Sequence, residues 1–282
     1  MITFRRMSVE DIPAGLSLCR AAGWNQVAND WELFLKLSPD GCKVAVDETG
    51  QILGTVTTVN YQKHFSWIGM VLVDPARRRQ GIGTKLLQQA LSILQGEETV
   101  KLDATPAGRE VYLKVGFNDE YSLNRLQLTS FTRKDLPKSN ATPMHHDDLD
   151  AVMQIDKKVF GADRSLILKN LFKNTPQFAF VKRANGEAIS YCFGRPGHNF
   201  THIGPIVSIN QDEAKELVIA AVKNCEGDSI ILDVPNQNTE WHSFLISLGF
   251  ELQRPFIRMY LGKNNYPGVI ENQYAILGPE FG

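Results

Sequence analysis

The hydrophobic pattern changes period between Met70 and Leu94. Met70 to Val73 is a short apolar run closed by Asp74 and Pro75, as a buried strand and its end require. From Thr84 onward, Leu86, Leu87, Ala90, Leu91 and Leu94 recur on one face at helical spacing, while Lys85, Gln88, Gln89 and Gln95 take the other. Residues Arg78 to Leu86 join the two, so the segment predicts a strand, a turn and a helix start. Val44 to Val46 is a further strand running into a turn at Gly50, and Val100-Lys101-Leu102 another.

The pattern repeats at an offset of about 133 residues. Val44 to Gly50 resembles Phe180 to Gly186, and Trp67-Ile68-Gly69-Met70-Val71 aligns with His202-Ile203-Gly204-Pro205-Ile206. Leu102-Asp103 matches Leu232-Asp233, and Gly116-Phe117 matches Gly249-Phe250, with Arg125 and Arg258 equally placed beyond the phenylalanines. Such drift in offset is what loop insertions produce.

The turn after the strand carries chemistry. Gly81 and Gly83 let the backbone bend without a Cβ penalty, so successive N–H groups converge where a helix N-terminus adds partial positive charge. A nest of this kind binds phosphate or pyrophosphate. It is neither the three-glycine dinucleotide fingerprint nor a phosphate loop ending in Gly-Lys-Ser/Thr. Arg78-x-x-Gly81-x-Gly83, after Val71-x-Val73-x-Pro75, resembles the acyl-CoA loop of the GNAT superfamily of N-acetyltransferases. Tyr112-Leu113-Lys114-Val115-Gly116-Phe117 is similar to that superfamily's Tyr-x-x-x-Gly-Phe, in the expected order; Thr105 stands where many members have Asn.

The resemblance implies an α/β (α+β) fold of two GNAT-like domains, each a twisted, mostly antiparallel mixed sheet flanked by helices. The expected division is residues 1–131, a linker at 132–143, and 144–282. The second copy has Val207 to Glu213 in place of the glycine loop and Leu245 at the tyrosine position, so it is read as degenerate in cofactor binding. The expected activity is acetyl transfer from acetyl-CoA to a primary amine of a small molecule; a non-enzymatic acyl-CoA sensor and an enzyme for protein amines are the alternatives.

In this reading Val71, Leu72 and Val73 pair with the pantetheine arm, and Arg78, Arg79, Gln80, Gly81, Ile82, Gly83 and Thr84 cradle the pyrophosphate. Tyr112 is the candidate acid, or a packed helix tyrosine; Asp103 is the candidate base, or a structural residue, since Asp233 repeats it. Trp24, Asn25, Gln26, Asp30 and Trp31 follow the first helical stretch, where the resemblance places the acceptor pocket, and are equally suited to a helix cap and staple. Tyr191, His198, His202, Trp241 and His242 are candidates for closing a cleft between the halves.

Composition narrows the partners. Of 282 residues 43% are hydrophobic and 22% charged, which describes a globular chain with room for two domains. A net charge of −1 argues against a general nucleic-acid or membrane-surface binder, so Arg77-Arg78-Arg79 reads as serving one small anion. No long apolar stretch or signal-peptide pattern is present, and a cytoplasmic protein is expected. Cys19, Cys42, Cys192 and Cys225 are scattered and His145-His146 has no third ligand nearby, so no metal is expected. A monomer is preferred over a homodimer, fused halves standing in for two subunits.

Overall fold

In the computed structural model, which describes residues 1–132, 136–225 and 227–282, the two halves share a sheet instead of building one each. The first half runs β1 (Thr3–Arg6), α1 (Ile12–Ala21), α2 (Ala28–Leu37), β2 (Lys43–Val46), β3 (Ile52–Tyr61), β4 (Phe65–Val73), α3 (Ile82–Ile93), β5 (Thr99–Ala104), α4 (Pro106–Lys114) and β6 (Asn118–Leu128). The second repeats it with β7 (Thr142–Pro143), α5 (Leu149–Phe160), α6 (Ser165–Asn174), β8 (Phe180–Ala184), β9 (Glu187–Pro196), β10 (Thr201–Val207), α7 (Gln211–Lys223), β11 (Ile230–Pro235), α8 (Thr239–Ser247) and β12 (Glu251–Gly262), then adds β13 (Gln273–Ala275).

Among the described residues the sheet has 13 strands, in the order β1-β2-β3-β4-β5-β12-β6-β11-β10-β9-β8-β7, with β13 beside β10. The order reads the same from either edge once the halves are interchanged. At its centre the long last strands are exchanged: β12 pairs with β5, and β6 pairs with β11. Each half is thus completed by the other. Residues 133–135 of the expected linker lie outside the described residues; its end, Thr142–Pro143, is not free linker but strand β7, paired with Phe180 and Val181.

Helices cover both faces, so the sheet is buried between two helical layers. On one face α1, α2, α5 and α6 share a single apolar core drawn from both halves, including Trp31, Phe34, Trp67, Phe160 and Phe193. On the other, α3 packs Leu86, Leu87 and Ala90 over the first half, and α7 packs Leu217, Val218 and Ala221 over the second. Helix α3 begins at Ile82, two residues before its periodic pattern, because Gly81 at φ 77° turns the chain into it. All four cysteines are buried and unpaired. Among the described residues no helix is long and apolar enough to cross a membrane, and no group of three His, Cys, Asp or Glu is gathered as metal ligands would be.

Candidate active site

Strands β4 and β5 run parallel and pair only at Ser66–Val100 and Trp67–Lys101. Beyond Trp67 they diverge. A bulge opposite Thr55–Thr57 and a left-handed Met70, φ 52°, re-aim β4 at this point; the Thr55 hydroxyl donates to the Met70 carbonyl at 2.8 Å. The gap opens into a cavity of about 710 Å³, mouth included, with Ile68, Gly69, Met70 and Val71 on its wall. The face of β4 turned to the gap therefore keeps backbone groups for an extended ligand to pair with.

At the end of the same strand Asp74 accepts a hydrogen bond from the Ala76 amide, and the chain then passes through left-handed Arg79 and Gly81 into α3. Alternation of hand in consecutive residues is the geometry of an anion nest, and the first-turn amides of α3 have no intrahelical partners. A Cβ built at Gly81 meets nothing within 4 Å, and at Gly83 only Val73 at 3.4 Å, so the mouth of the nest is open. Arg77, Arg78 and Arg79 are exposed around it. These residues fit a diphosphate joined to an arm that lies along β4.

Tyr112, on α4, is on the cavity wall, and burial pushes its phenol up to about 12. It stays protonated across the neutral range. Its ring rests on Gly108, where a Cβ would come within 3.2 Å of it, and on Phe117. Thr105 is the N-cap of α4, its hydroxyl accepting from the Gly108 amide at 3.2 Å, so this departure from the family pattern holds the tyrosine helix in place. Asp103 lies at the end of β5, buried, with both oxygens held by Arg258 of the exchanged strand β12 at 2.8 and 2.9 Å. Burial raises its carboxyl despite that arginine.

The expected acceptor residues separate into two groups. Trp24, Asn25 and Gln26 line the cavity. Asn25 also ties the halves together: its side chain donates to the Phe200 carbonyl and accepts from the Asn199 and Phe200 amides. Trp31 and Asp30 lie behind the wall. Trp31 is fully buried against Gly15 and Phe34, and Asp30 accepts from the Val27 amide at the start of α2 and faces Arg195 at 3.3 Å. The cap and packing roles claim these two because an amphipathic helix needs both at its start.

The second half supplies other residues than those expected. Tyr191, His202 and Trp241 are core, His198 is exposed and His242 half-buried, and none of the five lines this cavity. Arg254 and Phe256 of β12 and Pro279 and Glu280 of the C-terminal segment line it instead, beside Arg125 from β6 of the first half. That segment is threaded through the core: Trp67 donates to the Pro279 carbonyl, Tyr61 to that of Phe281, and Phe281 stacks on Phe34 at 4.4 Å. Gly69 has no Cβ because the Glu280 carbonyl passes 2.9 Å from where one would be. Glu280 pairs with Arg195, and Arg125 holds Asp233 at 2.8 and 2.7 Å. Equal spacing of Arg125 and Arg258 was the available signal; the strand exchange that brings each to the other half's aspartate was not legible.

The corresponding gap in the second half is filled. Strands β10 and β11 also pair at only two positions and then diverge, but β13 enters between them, pairing with Ile206 and Val207 while the Ile276 amide donates to the Asp233 backbone carbonyl. Gly204, the repeat partner of Gly69, lets the Ile276 carbonyl pass. Trp241 caps the plug by donating to the Tyr274 carbonyl at 2.8 Å.

Comparison with known proteins agrees with this geometry. The acetyltransferase (GNAT) family matches residues 16–117 and the acetyltransferase (GNAT) domain residues 152–275. The chain belongs to the GNAT acetyltransferase superfamily, with one such domain in each half, and is an enzyme of the acyltransferase class. A holothin acyltransferase of Pseudoalteromonas sp. is 28% identical over 251 residues, 84% of this chain and 85% of that one. A putative acetyltransferase from Pyrococcus horikoshii shares the fold over 100% of this chain and 96% of that one, with TM-score 0.82 and 24% identity. A tandem GNAT protein from the clavulanic acid biosynthesis pathway does so over 92% and 98%, with TM-score 0.66 and 15% identity.

Proposed function

We propose that this chain transfers an acetyl group from acetyl-CoA to the primary amine of a small molecule, in the one cavity where β4 leaves β5. What carries the reading is continuity: along a single strand, a phosphate-binding turn, a stretch of unpaired backbone and a walled cavity with Tyr112 follow one another. Residues 1–131 are taken as the cofactor half, 132–143 as the joint, and 144–282 as the half that shapes the acceptor side. Because the C-terminal segment and β12 wall the cavity, it suits a small molecule better than a protein tail. One chain completes its own site, which favours a monomer.

Acetyl-CoA supplies the acyl group as a thioester. The nest at Arg79 to Thr84, with Arg78 beside it, holds the diphosphate, and the Val71 to Val73 backbone orients the arm. An amide at the re-aimed point of β4 polarises the acetyl carbonyl, a contact worth about 3 kcal/mol. Amine acceptors titrate near ~10.4, so deprotonation at pH 7 costs about 4–5 kcal/mol. Asp103 takes that proton directly or through water, its raised carboxyl being suited to the task. Tyr112 protonates the departing thiolate. Glu280, the second carboxylate on the wall, is the other candidate base.

The test is calorimetric titration with acetyl-CoA together with thiol release against a panel of small amines and lysine peptides. Binding with amine-dependent release confined to small amines is expected. No binding overturns the proposal, and release with peptides only reassigns the acceptor.

A further inference from the structure

We infer that the acceptor amine carries a carboxylate, and that Arg254 is the residue that seats it. This rests on the acyltransferase reading above and specifies the substrate class.

The charged groups of the cavity wall are spoken for, with one exception. On the wall Arg125 is bound to Asp233, Asp103 to Arg258 behind it, and Glu280 to Arg195 behind it. Arg254 lines the same cavity and is half-buried, yet among the described residues it has neither ion pair nor hydrogen-bond partner, and its Nε is shut away from solvent unpartnered. A guanidinium desolvated without an anion is costly, so its presence calls for one supplied from outside.

Local structure aims it there. Arg254 directly follows a register shift in β12 and sits opposite Arg125 across the β12–β6 ladder. Like charges in facing positions are destabilising, and a bulge at such a point re-directs a side chain. Both guanidiniums rest on the Phe256 ring, each 5.1 Å from its centre. Asp233 pairs directly with the first; the second has no direct partner among the described residues, and Asp233 and Glu280 act on it only at a distance. Burial and then the neighbouring Arg125 lower the Arg254 guanidinium to about 10, against the pull of Asp233 and Glu280.

The cavity also keeps unspent acceptors. Gln26, only 7% exposed, has a side-chain oxygen with no donor, and the Glu280 carboxylate, though paired with Arg195, has lone pairs beyond that bond. A site with one free fork of donors and free acceptors is complementary to a molecule bearing both a carboxylate and N–H groups, and a planar guanidinium matches a carboxylate in two parallel hydrogen bonds.

The experiment compares amino acids with their own amides and their decarboxylated amines as acceptors, reading CoA thiol release by the full chain and by Arg254→Gln and Arg254→Lys. The wild type should favour each acid over its amide by about tenfold or more in kcat/KM, and Arg254→Gln should remove that preference through KM. Arg254→Lys should restore part of it. Equal turnover of acid and amide by the wild type overturns the inference, as does a preference that survives Arg254→Gln. Should no amine react, calorimetry of the acids against CoA-loaded wild type decides: heat that Arg254→Gln abolishes supports the assignment, and no heat overturns it. Acetyl-CoA affinity is measured alongside. Its retention with no acid preference defeats this inference alone, whereas its absence defeats the acyltransferase reading as well.

Discussion

Arg258 of β12 grips Asp103 of β5 through both carboxylate oxygens, and the two residues come from opposite halves of the chain. Arg125 and Asp233 make the mirror contact across β6 and β11. Replacing Arg258 by Met should cost about 3–5 kcal/mol, because Asp103 is left buried and uncompensated. Since each half is completed by the other's strand, chemical denaturation of wild type and variant should show one cooperative transition for both halves. Two separate transitions would mean that the exchange does not couple them.

Tyr112→Phe keeps the ring on Gly108 and Phe117 and removes only the hydroxyl. The expected result is a fall in kcat of about 100-fold or more with acetyl-CoA affinity unchanged, read by steady-state kinetics and calorimetry. Unchanged turnover would return Tyr112 to a packing role.

Gly81 sits at φ 77°, a conformation that a β-branched residue adopts only under strain. Gly81→Val should therefore distort the amide nest and weaken acetyl-CoA by about 5- to 30-fold, the equivalent of the ~1–2 kcal/mol the backbone demands. Calorimetry measures this, with circular dichroism to verify that the helices remain.

Because β13 fills the second gap, acetyl-CoA should bind at one site per chain. A calorimetric stoichiometry of two would show that residues 273–276 are displaced by ligand.

Asp30 gives a pH dependence of determinate sign. Burial pushes its carboxyl up to about 6, against the pull of Arg195 and with Glu280 adding to the rise. The folded chain thus holds this proton more tightly than the unfolded chain, whose aspartates titrate near ~3.9. This group's contribution is most favourable below about pH 4, falls as pH rises towards about 6, and stays lower above. Asp30→Asn retains an acceptor for the Val27 amide and removes the titration. Stability at pH 8 should rise by about 1–3 kcal/mol, and the slope between about pH 4 and pH 6 should flatten, as measured by urea denaturation.

The strand, turn and helix at Met70 to Leu94 were legible because each is written in a short window: apolar alternation, two glycines, one helical face. The place of Tyr112 on a helix was legible for the same reason, and so was the absence of a glycine pair at Val207 to Glu213. Asp30 and Trp31 were ambiguous because a capping carboxylate and a buried indole have the same local signature as a ligand pocket. Arg254 and Glu280 had no local signature at all.

The sequence by itself determined the repeat and the glycine turn between β4 and α3 in the first half, since backbone propensity and side-chain period act over a few residues. Only the tertiary structure decided that β6 and β12 change places, that β13 plugs the second gap, and that Arg254 and Glu280 reach the first. Those outcomes depend on which strands find register across more than a hundred residues of chain, and on which buried charges are left without a partner once they do.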